Sequence, residues 1–192
     1  MRKIGVLKLL CCASALPSVV RKGVLPDGDE LVASCFDLQK MAVYLPTTSS
    51  PVLYCAEDVR APQVGEYAVL PQAALRDRDY GVWAGRALQE LDAAEQLSFL
   101  SDGAFAPPQG ESFVACYQRT ELWLEALGQD VSTAVVLARP AIVRNLILRV
   151  LYHSGEPVSI DHAARVDVLP GSYSLLIRHA GRWRVSMLGV PV

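Results

Sequence analysis

Residues able to do chemistry follow three apolar runs of this chain. Cys11-Cys12 closes the run at 4–10, Glu57-Asp58 and Arg60 follow the run at 51–55, and Arg139 follows the run at 134–138. A cysteine beside cations or a helix N-terminus is activated as a thiolate, and a thiolate can take a phosphoryl or acyl group. Two guanidiniums, Arg60 and Arg139, can grip a carboxylate or phosphate through paired N–H donors. Arg21 is a further cation on the segment after the first run. Each has an ordinary alternative: cysteine is a common filler of apolar strands, and an arginine next to carboxylates can simply pair with them.

The elements that must carry these residues follow from the spacing of apolar positions. The run 4–10 reads as a first buried strand, 51–55 as a second and 134–138 as a third. The basic start Met1-Arg2-Lys3, the small residues Ala13-Ser14-Ala15 and the sequence Leu9-Leu10-Cys11 imitate a signal peptide, but Lys8 inside the apolar run favours a strand. Residues 29–44 place Leu31, Val32, Cys35, Leu38 and Met41 close to helical spacing, with Pro46 expected to end the helix. Residues 59–70 open with another helix-like stretch, and 75–85 are irregular, with Tyr80 and Trp83 among glycines.

Helices are predicted over 87–100 and over 112–127. In the second, Phe113, Cys116, Tyr117, Thr120 and Leu124 trace one face and Gly128 is the expected stop. Pro140 is placed to open a helix running to about residue 152. Residues 163–168 and 172–179 read as the last strands, with a hairpin near Gly181-Arg182-Trp183. Short apolar strands alternating with helices imply a mostly parallel α/β sheet covered on both faces, with ligands at the C-terminal strand ends.

Composition sets the outer bounds. The chain has 192 residues, 52% of them hydrophobic, enough for one domain that builds a core without disulfides or metals. Its 18 basic and 20 acidic residues are interspersed, with no basic stripe for a nucleic acid to follow. No apolar run suits a membrane span. The five cysteines form no repeated CxxC pattern, so the expectation is reduced thiols in a cytoplasmic protein, without metal or organic cofactor.

Four segments, in order, carry a resemblance. Leu75-Arg76-Asp77-Arg78-Asp79-Tyr80-Gly81-Val82-Trp83-Ala84-Gly85 resembles an L-x-E-x-x-F-G-x-W-x-G pattern, and Pro108-Gln109-Gly110-Glu111-Ser112 resembles P-x-G-E-S. The stretch from Val135 through Arg139 to Arg144 resembles V-V-x-H-G-G-x-I-R, and Val166 to Ser172 with Gly181-Arg182-Trp183 resembles a pair of closing strands. Together these are similar to the histidine phosphatase superfamily, in its phosphoglycerate-mutase-like branch. The resemblance implies a single domain over 1–192, a three-layer αβα sandwich with a mostly parallel sheet, and residues 71–112 as an insertion capping the pocket. It also implies a possible homodimer.

The family transfers a phosphoryl group to the histidine of an R-H-G motif after the first strand. A second histidine and two arginines steady the group, and a glutamate acts as general acid. Here the R-H-G position reads Cys11-Cys12-Ala13, the second histidine position reads Arg139, and the S-P-L-x-R-A segment keeps only Arg60 and Ala61. Glu111 is retained as the implied acid. The three histidines, His153, His162 and His179, fall elsewhere and are expected to be surface or structural.

The expected site is therefore a hollow holding Cys12, Arg60, Glu111 and Arg139, with Arg21 nearby. Tyr80 either caps it or packs beneath its loop. Three functions fit. The first is a repurposed enzyme working on a small anionic or carbonyl metabolite by acid–base chemistry (dehydration, cyclisation or isomerisation), with Glu111 as acid/base and Arg60 and Arg139 as anion holders. The second is an inactive binding or scaffold protein. The third is a phosphatase with Cys12 as nucleophile.

Overall fold

The computed structural model describes residues 6–41, 43–44, 51–64, 67–128, 131–152 and 157–191. Its first strand, β1 (Val6–Ala13), is buried from Leu9 onward. A single turn of 3-10 helix (Ser18–Lys22) follows, then the two-residue strand β2 (Val32–Ala33) and a one-turn helix α1 (Leu38–Met41). The helix expected over 29–44 is thus confined to one turn. Val32 pairs with Val59 in a separate small sheet, Cys35 has φ +53°, and the Asp37 carboxylate caps α1 by accepting from the backbone N–H of Gln39 and Lys40. Of the apolar residues that imitate a helical stripe, Val32 and Met41 are buried, by different neighbours, and Leu31 is exposed. The expected stop at Pro46 lies outside the described residues.

Next come β3 (Val52–Ala56), β4 (Val59–Arg60) and β5 (Val69–Gln72). The helix-like stretch expected after residue 59 is therefore two short strands, because Val59 pairs with β2 and Val69 with β3. Irregular backbone with short 3-10 turns leads to α2 (Ala93–Ser101), shorter than expected because the Asp92 carboxylate caps it through the N–H of Ala94 and Glu95. Helix α3 (Phe113–Ala126) is capped by Ser112, and β6 (Thr133–Ala138) is buried at every position. Helix α4 (Pro140–Leu151) starts with its proline, where the missing N–H costs nothing. Residues 163–168, expected as a strand, instead end the short helix α5 (Ile160–Ala163) and continue as loop. The hairpin β7 (Ser172–His179) and β8 (Arg182–Pro191) closes the chain.

The large sheet runs β5-β3-β6-β1-β7-β8. Strands β5, β3, β6 and β1 are parallel to one another, and β7 and β8 are antiparallel. This is the α/β class with a mostly parallel central sheet that the sequence implies. The complete burial of β6 means that both of its faces are covered, as a parallel strand requires. Among the described residues, no helix is long and apolar enough to cross a membrane.

Candidate functional site

The register of β1 against β6 decides which residues meet at the strand ends. Ala13 lies opposite Ala138, so Ser14 and Arg139 leave the sheet side by side, and the Ser14 N–H donates to the Ala138 carbonyl at 2.9 Å. Cys12 sits one step earlier, between Leu137 and Tyr173. It is fully buried, with Sγ 3.9 Å from the Met41 sulfur. Burial, with Cys11 beside it, pushes the Cys12 thiol well above its usual pKa. A thiol in that state is inert packing.

Arg139 is 1% exposed, yet it carries a charge. Pro140 holds it in an extended conformation, ψ 152°, at the head of α4. Its Nε stands 2.8 Å from Asp58 Oδ2, its Nη1 donates to Asp77 Oδ2 at 3.4 Å, and its Nη2 donates to the Glu30 carbonyl at 2.8 Å. Asp58 also accepts the Asp77 backbone N–H at 3.0 Å. A guanidinium taken from water is tolerated only with such partners. Burial raises the pKa of Asp77, and the Arg139 charge works against that rise.

Glu111 is engaged as well. Both of its carboxylate oxygens accept from Arg119, Oε1 from Nε at 3.0 Å and Oε2 from Nη2 at 2.8 Å. Arg119 further donates to the carbonyls of Ala74 and Arg76, and Arg78 Nε donates to the Glu111 carbonyl at 2.7 Å. Glu111 therefore ties α3 to the 74–79 segment. Two glycines complete the tie. A Cβ on Gly81 would collide with the Pro108 carbonyl, and one on Gly110 would come 2.8 Å from the Asp79 carbonyl oxygen. These glycines belong to the two sequence segments that carry the resemblance, and they let the loops touch backbone to backbone.

Two cavities flank Asp77 and Arg78. The first, about 510 Å³, is lined by the carboxylates of Asp27, Asp29, Asp58, Asp77, Asp79 and Glu111 against the guanidiniums of Arg76, Arg78 and Arg119. The second, about 300 Å³, is largely apolar, with Phe99, Phe113 and Ile160 in its wall beside Tyr80 and Arg144. Neither is lined by Cys12, Arg21, Arg60 or Arg139. Arg60 is exposed because its strand neighbour Val59 takes the buried side of β4. Arg21 is exposed on the 3-10 turn.

Of the four residues expected in one hollow, Cys12 lies in the core and Arg60 on the surface, while Glu111 lines the acidic cavity and Arg139 is paired with two residues of the same lining, Asp58 and Asp77. Trp83 is buried under the loop against Phe99 and Phe105, whereas Tyr80 lines the apolar cavity. Among the histidines, His162 accepts the Ser159 N–H through Nδ1 and lies against Tyr152, His179 is exposed at the end of β7, and His153 lies outside the described residues. No group of three or more His, Cys, Asp or Glu among the described residues is arranged to hold a metal ion.

Asp77 is the residue missed by reading the strand ends. A signal was present, because Asp77 occupies the acidic position of the L-x-E segment. Its pairing with Arg139 spans 62 residues of sequence and had no local signature.

The family model for the histidine phosphatase superfamily, branch 1, matches residues 42–191. The chain belongs to that superfamily. Solved structures agree on the fold. A mycobacterial glucosyl-3-phosphoglycerate phosphatase is 17% identical with TM-score 0.72, covering 95% of this chain and 98% of its own. The alpha-ribazole phosphatase of Shigella flexneri is 18% identical with TM-score 0.73, covering 96% and 98%. The phosphoglycerate mutase of Thermus thermophilus is 22% identical with TM-score 0.65, covering 96% and 99%. A comparison with curated proteins found no match. In this histidine phosphatase superfamily member, the residue that follows β6 is the buried Arg139.

Proposed function

We propose that this superfamily member performs no histidine-dependent phosphoryl transfer and works instead on a small molecule by proton exchange, with Asp77 as the acid–base group. One observation carries the reading: Arg139, at the second-histidine position, is already held by Asp58, Asp77 and the Glu30 carbonyl. A guanidinium is no nucleophile for a phosphoryl group, and this one is buried against two carboxylates. Asp77 suits the role better than Glu111. It lines both cavities, and burial raises its pKa above the ordinary 3.8. Glu111 gives both oxygens to one guanidinium, Arg119, at 3.0 and 2.8 Å, whereas Asp77 meets Arg139 through one oxygen at a longer 3.4 Å and the Arg78 backbone N–H through the other. A Cys12 phosphatase would need the core opened.

The same saturation of Arg139 favours a second reading, a binding protein without chemistry. The two separate by experiment. Purified protein should release no phosphate from p-nitrophenyl phosphate or 3-phosphoglycerate and should take up no label from a phosphoryl donor; a stoichiometric phosphoenzyme overturns the proposal. In D2O, proton exchange next to the carbonyl of a panel of oxo acids, followed by NMR, should occur with the wild type and vanish in Asp77→Asn. Ligand binding without any exchange would move the assignment to the binding protein.

A further inference from the structure

The apolar cavity beside α4 contains a cation with nothing to hold. Arg144 is half-buried there, its Nε is shielded from water and donates no hydrogen bond, and no carboxylate among the described residues forms an ion pair with it. A buried donor without a partner is costly, so a partner is to be expected. Arg78 brings a second guanidinium to the same wall, stacked 4.4 Å over the Phe99 ring. The carboxylate in the lining, Asp77, is already committed to Arg139 and to the Arg78 N–H. The local balance is thus positive inside an apolar chamber, opposite to the acidic cavity across the Asp77-Arg78 wall.

Size and shape narrow the occupant. A volume of about 300 Å³ equals that of roughly ten water molecules at about 30 Å³ each, the scale of a small organic acid. Its walls are aromatic and aliphatic, and the exposed Leu100 and Ala164 mark an opening to solvent. A chamber of this kind, apolar with few convergent polar groups, is the ordinary form of a small-molecule site.

We infer that this cavity binds a small monocarboxylate with an apolar body, an aryl or medium-chain acid, its carboxylate on Arg144 and its hydrocarbon against Phe99, Phe113 and Ile160. The inference deepens the proposed function by naming a ligand class next to Asp77, but the binding stands or falls separately. An aromatic acid and an aliphatic acid share the chemistry, and the probes distinguish them.

The test is calorimetric titration of the full chain with phenylacetate and with octanoate, alongside 2-phenylethanol, octan-1-ol and phenyl phosphate. At least one acid should saturate the wild type and bind on the order of tenfold or more tighter than its alcohol, because a charge-assisted pair is lost in the alcohol. Arg144→Met should weaken the acid by a similar factor and leave the alcohol unchanged, while Arg144→Lys should recover part of the loss. Should Arg144→Met fail to fold, Ala164→Trp at the exposed mouth should block both acid and alcohol with its circular dichroism intact. No saturable binding of either acid, or equal binding of acid and alcohol, overturns the inference. Release of phosphate from phenyl phosphate would instead overturn the proposed function and leave the carboxylate result standing.

Discussion

Arg139 precedes α4 and Arg144 lies in its second turn, and the two live in opposite circumstances. Arg139 is sealed, within ion-pair distance of two carboxylates and bonded to a carbonyl; Arg144 opens onto an apolar chamber and, among the described residues, has neither ion pair nor acceptor. The difference is between a guanidinium spent on the fold and one for which the fold provides no acceptor. Position at a strand end, which made Arg139 conspicuous, does not distinguish the two cases; the surrounding acceptors do.

Breaking the sealed side should have the largest effect. Arg139→Ala leaves Asp58 and Asp77 buried without their counter-charge and should cost about 3–5 kcal/mol in urea unfolding. Adding Asp58→Asn and Asp77→Asn should recover much of that loss, and a cost below about 1 kcal/mol for Arg139→Ala would mean that the cluster is not closed. The Glu111–Arg119 pair is smaller and partly wet. Glu111→Gln should destabilise by about 1–3 kcal/mol, because Arg119 keeps its backbone carbonyl partners. Denaturant midpoints measured in parallel would order the two regions.

The pH response sharpens the comparison. Asp77 has its pKa raised by burial above its ordinary 3.8. A carboxyl shifted upward stabilises the fold fully below that ordinary value, and the contribution is lost as pH rises through the higher folded-state value. Relative to Asp77→Asn, the wild-type thermal midpoint should therefore fall as pH rises above 3.8. An identical slope in both proteins would remove the raised value.

Thiol chemistry probes the neighbouring core. Cys35 is partly exposed, whereas Cys11, Cys12, Cys55 and Cys116 are buried. Burial pushes Cys55 up to about 11 and Cys116 up to about 12. A thiol-specific dye should meet one fast thiol in folded protein, absent in Cys35→Ser, and four slow ones. The smallest effect is expected at Arg149, whose pairs with Glu121 and Glu125 are partly exposed. Glu125→Gln should change stability by no more than about 1 kcal/mol.

The sheet was legible because its central strands are unbroken apolar runs. The α3 and α4 helices were legible because Ser112 and Pro140 punctuate their starts. The segment from 29 to 44 misled because Val32 and Met41 are buried by separate neighbours, a small sheet and the core under Cys12. The site was only half legible. Glu111 and Asp77 sit on segments whose pattern singles them out, but whether a cation is free depends on acceptors distant in sequence. Arg139 draws on Glu30, Asp58 and Asp77, none of them in its own neighbourhood of the chain.

The contact between Gly81 and Gly110 has a bearing on how this molecule can change over generations. Each glycine makes room for the other loop's main chain, so a side chain at either position is blocked by atoms that no rotamer change can move. Drift in one loop must wait for a matching shift of the other, and the two motifs should be inherited as a unit. The helical excursion strung between them is free of that restraint, which makes it the natural place for lineages to diverge in what they admit.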